Sequence, residues 1–442
     1  ARQQTMRDTI AWSYDLLDAR EQRVFRGLGV FRGGWTLEAA EAVLDPDGRL
    51  AVFEALDRLL AASLVRVVHQ ADGGQRFAML ELLREFAAEA LEAEGEAEAL
   101  RARHAAWYAD LARTFENEVY WQGDEVKWMS RLRAEDDNLR AAVERSLATS
   151  ALHRTAVTLM AWLPRYSQHI GGDYGTSVQW LQAASALAGD TIEAEDALVR
   201  YWLAAAYSRT GRAGDAVAGL LEAEQAFARL GDELHLAWVY NDLGVVATYS
   251  LDLAAAAGYF ERSLALKRQA GTHHDQAIAL SNLAEICFLQ GDHDQAVRLL
   301  QDALAILTEP SYQRSDSLRI LAMADLLHGR LDGARAALRE ALESFPGEIS
   351  GFELARCCCV ALCIASASNE PELVANYRGS IARLTEENAT TVDPLYQEAM
   401  PAAIEVARML LSAEAWAAAE EAGRHLTPEK LITLARGEVA DV

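Results

Sequence analysis

From about residue 155 onward, apolar and small positions recur at a near-constant interval. With Leu243 as anchor, Leu163, Leu203 and Leu283 stand at steps of 40 residues, and Leu321 follows 38 later. Eight beyond each anchor come Gly171, Gly211, Leu251, Gly291 and Gly329, and thirteen beyond come Thr176, Ala216, Ala256, Ala296 and Ala334. Seventeen beyond, the residue is large and apolar (Trp180, Leu220, Phe260, Leu300, Leu338), and twenty beyond it is small (Ala183, Ala223, Ser263, Ala303, Ala341). This pattern predicts helix–turn–helix hairpins. Glycine closes the first helix in a left-handed conformation. An aspartate soon after (Asp173, Asp215, Asp252, Asp292, Asp332) accepts from backbone N–H groups opening the second. Small residues let the two helices approach, and large ones fill the gap between repeats. One hairpin cannot bury its apolar face alone, so neighbours stack into a continuous core. Residues 350 to 425 keep the helical period without the repeat signature.

The first ninety-odd residues follow another pattern. Helices are predicted over Thr5–Leu17, Arg20–Leu28, Thr36–Leu44 with Thr36 as cap, and Val52–Ala61. Ser63–His69 is β-branched, Ala71–Gly74 is a turn, Gln75–Met79 returns as a strand and Glu81–Leu91 closes as a helix. Helices followed by a two-stranded hairpin are the order of a winged helix. The expected fold is mainly α: a winged helix over 1–94, a helical connector over 95–150, and an α-α superhelix of repeats over 151–345. Degenerate repeats or capping helices follow over 346–425, then a tail over 426–442.

Charge narrows the function. Against 41 Lys and Arg stand 66 Asp and Glu, a net of −25. Residues 1–94 alone carry 11 basic and 16 acidic side chains, and the helix that would enter a major groove offers Glu54, Asp57 and only Arg58. Phosphate neutralisation needs clustered cations, so direct nucleic-acid contact is not expected, and the winged helix should pack on neighbouring domains. Apolar stretches without charge reach only a dozen residues, as in Cys357–Ser368, well short of the ~20 needed to span a bilayer. With no leader pattern at its start, the chain is expected in the cytoplasm. Beginning at Ala1 rather than Met, it reads as a piece of something longer. The five cysteines, four of them within Cys357–Cys363, form no disulfide framework and read as small buried apolar side chains.

The repeat spacing resembles the tetratricopeptide repeat family. In the first 145 residues a more specific resemblance appears. It runs through Thr5–Leu17, Phe25–Ala40 (with Gly33-Gly34-Trp35-Thr36), Leu59–Val67, Met79–Ala87, Arg103–Tyr108 and Ala134–Ala142 (with Glu135-Asp136-Asp137-Asn138-Leu139). The segment from Glu414 to Glu429 continues it. Together these are similar to the large bacterial STAND regulators, in which an ATPase precedes a winged helix, tetratricopeptide-type repeats and often a LuxR-type DNA-binding end. No Gly-Lys pair occurs, so this chain lacks that family's phosphate-cradling loop. The resemblance implies ATP or ADP on a domain outside this chain, a winged helix that docks on that domain, and a protein partner or small-molecule inducer at the repeats. It equally allows the same module fused to a nucleotide cyclase, and a plain assembly scaffold without a ligand switch remains the alternative.

No catalytic constellation is present, and no cofactor or metal is expected in this chain. His273-His274-Asp275 and His293 fall near turns and read as water-exposed. A binding groove is the stronger candidate. Positions five and two residues on either side of each anchor share one face of the first helix. They give Arg165, Gln168, Tyr201, Ser208, Trp238, Asn241, Thr248, Ser281, Glu285, Phe288 and Arg319. Aromatic rings beside polar groups suit a sugar, a metabolite or a peptide, and Arg165, Gln168, Tyr201, Trp238, Asn241, Glu285 and Arg319 are the candidates retained.

Overall fold

A computed structural model of the chain describes residues 2–69, 74–122, 125–164, 174–188, 193–270, 273–388, 392, 394–397 and 399–437. It is mainly helical and forms two compact units, Ala1–Trp202 and Leu203–Val442.

The first unit opens with α1 (Arg2–Asp15), α2 (Ala19–Leu28), α3 (Leu37–Leu44), α4 (Val52–Ala61), β1 (Arg66–His69), β2 (Gln75–Ala78) and α5 (Glu81–Ala93). These match the predicted order. The hairpin turn expected at Ala71–Gly74 falls largely on residues 71–73, outside those described. Asp18 starts α2 with a reciprocal cap: its side chain accepts from the N–H of Glu21, whose carboxylate accepts from the N–H of Asp18. Thr36 caps α3, accepting from the N–H of Ala39 at 3.2 Å. β1 and β2 run antiparallel with Val67 opposite Phe77. Trp35 adds a third element that the residue pattern did not show, exchanging hydrogen bonds of 2.9 and 2.8 Å with Phe77. The rings of Tyr14, Phe25 and Phe86 meet at centroid distances of 5.5 to 6.4 Å and hold α1 against α2 and α5.

Then come α6 (Ala97–Gln122), α7 (Glu125–Ala134), α8 (Asp136–Ala148), α9 (His153–Trp162), α10 (Tyr174–Leu187) and α11 (Ala194–Arg209). α6 packs on α8 and α9, and α9 on α10. Here the repeat pattern slips by one position. Leu181 and Ala184 are buried, whereas Trp180 is half-buried and Ala183 exposed. One residue turns a helix by about 100°, so the inward face of α10 is not the one that spacing from Leu163 selects.

The second unit continues with α12 (Ala213–Leu230), α13 (Glu233–Tyr249), α14 (Leu253–Ala270), α15 (His273–Leu289), α16 (His293–Ile306), α17 (Tyr312–Leu327) and α18 (Leu331–Glu343). α19 (Gly351–Ala367), α20 (Pro371–Asn388), a 3-10 turn at Pro394–Tyr396, α21 (Ala399–Arg408), α22 (Ala413–Arg424) and α23 (Pro428–Ala435) complete it. From α12 to α20 each helix packs on the next, and α13, α15, α17 and α19 also neighbour one another. That is a stack of hairpins. Ala216, Ala256, Ala296, Ala334, Leu220, Phe260, Leu300, Leu338, Ala223, Ser263, Ala303 and Ala341 are all buried, as their spacing predicts. Gly244 is small for a related reason: a Cβ there would lie 2.6 Å from the Phe260 ring.

The aspartates of the turns meet the expectation in two repeats and depart from it in two. Asp252 and Asp292, directly after the turn residue, do cap their helices, accepting from the N–H groups of Ala255 and Gln295 at 3.1 and 3.0 Å. Asp215 and Asp332 sit inside the first turn and do not; Asp215 pairs instead with Arg212 at 2.7 Å. Asp173 lies outside the described residues.

At the far end, α22 crosses α20 so closely that backbone meets backbone at Gly379 and Gly423. A Cβ on Gly379 would overlap the carbonyl of Glu420, and one on Gly423 that of Asn376. The hydroxyl of Ser380 donates to the Gly423 carbonyl at 2.7 Å. α19 is central to this end. Cys357, Cys358, Cys359 and Cys363 are buried in it, and burial pushes the Cys357 and Cys363 thiols up to about 12, so they remain protonated packing groups. Among the described residues no helix is long and apolar enough to cross a membrane.

Candidate functional site

The side chains proposed for a groove divide by what they touch. Arg165 and Gln168 lie outside the described residues. Tyr201, in the first unit, is buried with its ring 4.8 Å from that of Trp202, whose indole N–H donates to the Ala161 carbonyl at 2.8 Å. Trp238 is also buried. Its indole N–H donates to Asp275 at 3.3 Å, and His235 meets it edge-on at 4.7 Å. Asp275 is therefore a buried acceptor rather than a water-exposed turn residue, and His293, half-buried, packs edge-on against Phe288 at 5.0 Å. The exposed-turn expectation fails at both because a ring covers each: Trp238 of the preceding repeat over Asp275, and Phe288 from the first helix of the same hairpin over His293. His274's side chain lies outside the description.

The second unit brings Asn241 and Asn282 together: Asn282 Nδ2 donates to Asn241 Oδ1 at 3.0 Å, linking α13 to α15. Ser281 and Ser317 share a hydroxyl hydrogen bond of 2.6 Å between α15 and α17. Glu285 is half-buried on the same helix as Asn282. Arg319 departs most from a groove residue, with a fully buried side chain. Its guanidinium donates to Asp316 and to the hydroxyl of Tyr396, while Arg356 reaches Asp316 at 3.0 Å and Glu353 at 3.3 Å. Burial and the neighbouring Arg356 oppose its charge, but Tyr396, Asp316 and Glu353 hold its pKa above the ordinary value. Arg319 thus fastens the Pro394–Tyr396 turn to the stack and does not face solvent.

A second polar cluster lies in the first unit, made from residues of the quoted signature runs whose role spacing could not show. Asn138, fully buried near the start of α8, uses its whole hydrogen-bonding capacity. Its Oδ1 accepts from the N–H of Arg32 at 2.7 Å and lies 3.3 Å from His104 Nε2, and its Nδ2 donates to the Gly34 carbonyl at 2.8 Å and to Glu135 at 2.9 Å. Glu135 also accepts from the Tyr108 hydroxyl at 2.8 Å and pairs with Arg76 of β2. Burial pushes the His104 imidazole down to about 3, with Arg145 adding to the shift, so the ring is neutral. Burial and the Glu135 carboxylate raise the Tyr108 hydroxyl well above its usual range and keep it a donor. The turn that brings Arg32 and Gly34 here requires glycine. Gly33 and Gly34 have φ of +70° and +97°, and a Cβ on either would lie 2.5 Å from Asp137 or 2.7 Å from the Phe77 carbonyl.

The network ties the winged helix (Arg32, Gly34, Arg76) to α6 (His104, Tyr108) and to α8 with the residue before it (Asn138, Glu135). A neighbouring hub continues it: Glu195 accepts from Arg113 at 2.9 Å, Arg154 at 2.8 Å, Thr158 at 2.7 Å and Trp162 at 3.2 Å. Burial would raise that carboxyl, but these donors hold it below its ordinary value.

On the face of α4 that a DNA-reading winged helix fills with cations, Phe53, Glu54, Asp57 and Arg58 are exposed, and Arg58 reaches Glu21 at 3.2 Å. Val67 and Val68 of β1 are also exposed. No group of three His, Cys, Asp or Glu side chains is set to hold a metal among the described residues.

These features agree with what the chain is similar to. Residues 17–92 match the winged helix-turn-helix domain family, and residues 252–309 and 275–346 match the tetratricopeptide repeat family. A Mycobacterium tuberculosis protein named "Putative HTH-type transcriptional regulator" is 33% identical over 281 residues, 60% of this chain and 30% of that protein. The regulatory protein AfsR of Streptomyces griseus is 25% identical over 364 residues, 77% of this chain and 36% of its own length. A crystal structure of a STAND protein with a tetratricopeptide repeat sensor from Pyrococcus horikoshii is 14% identical, covers 93% of this chain and 66% of its own, and has a TM-score of 0.49. The chain is a winged helix with tetratricopeptide repeats, homologous to the Mycobacterium and Streptomyces regulators. It spans about a third of the length of the curated relatives it matches.

Proposed function

We propose that this chain is the signal-receiving and relaying portion of a bacterial transcription regulator of the STAND kind. The repeats take an inducer or a regulatory protein, and the winged helix passes the event to an ATPase domain outside this chain, where ATP or ADP would be held. A LuxR-type DNA-binding end would carry the output, and the site of action would be the cytoplasm. The chain itself has a binding role and no chemistry.

The observation that carries this reading is the Asn138–Glu135 network. A winged helix left to read DNA needs an open cationic face and no rigid attachment behind it. Here the face is acidic and apolar, and the domain is fastened by buried charged and polar groups to α6 and α8. A displacement of those helices must move the winged helix with them, because letting go would leave Glu135 or Arg76 buried without its counter-charge. Coupling then requires only that the signal favour one docked arrangement over another.

The test is made in the full-length parent. Removing the segment 203–437 should abolish the response of ATPase activity or promoter binding to the signal while leaving basal nucleotide binding. A truncated parent that still responds would refute the sensor role. The homology to transcriptional regulators motivates the choice of readout.

A further inference from the structure

The left-handed turn residue between the two helices of a hairpin is glycine at Gly211, Gly291 and Gly329, with φ of +76°, +83° and +70°. At the equivalent place between α13 and α14 stands Leu251, at φ +59°. A leucine there is strained, because its Cβ crowds the neighbouring carbonyl in the left-handed region. Its N–H donates to the Thr248 carbonyl at 2.9 Å, as the turn requires of any residue, so the side chain adds nothing to the turn itself. Nor does that side chain return the cost by packing, since Leu251 is 60% exposed. Strain of this kind persists where it serves something other than the fold.

Its surroundings say what that is. The turns of successive hairpins lie on one edge of the stack, as the contact of His328 Nε2 with Asp294 at 3.4 Å between adjacent turns shows. Along this edge Tyr249 and Leu327 are exposed and Leu289 half-exposed, each six residues beyond its anchor. The charges between them are carboxylates: Asp252, Asp292 and Asp294. Of the arginines along the stack, Arg212 pairs with Asp215 at 2.7 Å and Arg330 with Asp325 at 2.7 Å, while exposed Arg298 donates to the Gln295 amide oxygen. Residues 203–442 carry 19 basic and 34 acidic side chains, a net of −15, so a second copy of this chain would be repelled.

We infer that this turn edge, with Leu251 as its anchor, is a docking surface for a basic amphipathic helix of a partner protein: apolar residues seat on Leu251 and its neighbours, and Lys or Arg side chains meet the three aspartates. The surface is separate from the inner-face asparagines and from the winged-helix network.

The experiment uses the whole chain and two fluorescein-labelled 14-residue helical peptides, one with Leu at i, i+3, i+4 and i+7 spacing and Lys elsewhere, the other with Glu in place of Lys. Wild-type chain should bind the Leu/Lys peptide and not the Leu/Glu peptide. Leu251→Gly should weaken that binding at least tenfold, while its Tm is unchanged or raised by about 2 °C through release of the strain. Leu251→Asn, which tolerates the left-handed region, should weaken binding equally, and Met409→Ser, exposed at the other end of the unit, should have no effect. Equal binding by wild type and Leu251→Gly would overturn the inference. So would equal affinity for both peptides, failure to bind either, or sedimentation showing self-association that Leu251→Gly abolishes.

Discussion

The two units differ in what dominates the contacts between their helices. In the first, the winged helix meets α6 and α8 through directional bonds among Arg76, Glu135, Tyr108, Asn138 and His104, each placed within hydrogen-bonding distance of another. In the second, the hairpins meet mainly through alternating small and large side chains, and α20 and α22 bring their backbones together at Gly379 and Gly423, with buried Arg319, bonded to Asp316 and Tyr396, fastening one turn. Directional groups specify one arrangement, but they leave an uncompensated charge or dipole when it is lost. Close backbone contact tolerates no added atom yet carries nothing that titrates. The winged-helix junction should therefore be the place where docking responds to chemistry, and the glycine crossing of α20 and α22 a steric lock.

The largest effect expected from this contrast is at Glu135. Glu135→Ala leaves Arg76 buried without its partner and should cost the first unit about 3–5 kcal/mol in urea unfolding. The combined change Arg76→Met with Glu135→Leu, which removes both charges and keeps volume, should recover part of that loss, because the Tyr108 hydroxyl and the Asn138 amide still lack their acceptor. If the double variant is no better than Glu135→Ala, the pair is not what fixes the interface. Next comes Gly423→Ala, where the added methyl meets the Asn376 carbonyl and the two backbones must part. Here about 1–3 kcal/mol should be lost from the second unit alone, with no compensating second substitution on α20, since the obstacle is main chain.

These two sites were not equally legible. The hairpin core from Ala216 to Ala341 could be read from spacing, because each repeat packs on its sequence neighbour and the same small and large positions recur. The register slip at Leu181 and Ala184 was not, since Leu163 is an anchor whose hairpin departs from the period followed by the others. Gly379 and Gly423 stand 44 positions apart in a stretch without a repeat, so nothing local marks them as facing each other. Glu135 and Asn138 were visible only as part of the run Ala134–Ala142 that carries the family resemblance. Their task depends on Gly34 and Arg76, 104 and 59 residues away in the chain. Likewise Arg319 has the right spacing for an inner face, yet the Tyr396 that claims it arrives from 77 residues downstream. Periodicity reports neighbours in sequence; it is silent on polar groups satisfied across long loops.

A smaller effect, also confined to the first unit, comes from pH. His104 has a folded-state value of about 3 against roughly 6.5 when unfolded, so between those limits the unfolded chain binds a proton that the folded chain refuses. Stability should be unaffected above pH 6.5 and fall by up to about 1.4 kcal/mol for each unit below it. Glu195 acts in a lower window: its carboxyl is held below the ordinary value, so its contribution is complete above the unfolded value near 4.3 and is lost only as pH falls further. Between pH 6 and 5 the slope should thus belong to His104, and His104→Gln should flatten the Tm profile there. An unchanged profile in that variant would show that the buried ring does not govern the acid response of the interface.

The smallest expected effect is none at all, and it separates a relay from a reader. The exposed face of α4 presents Phe53, Glu54 and Asp57, with Arg58 already engaged by Glu21. Binding to a duplex would bring phosphates against carboxylates, with no counterions released in return. The whole chain should leave a labelled duplex unshifted in a gel at 50 mM salt. The double change Glu54→Lys with Asp57→Lys reverses the sign of that face without touching the buried network. It should create weak, sequence-independent retention whose log K falls with log salt by about 0.9 for each phosphate neutralised. Retention of DNA by the unaltered chain would mean that the acidic face is not the one presented. The rigid attachment to α6 and α8 would then steer a DNA reader rather than transmit to a partner domain.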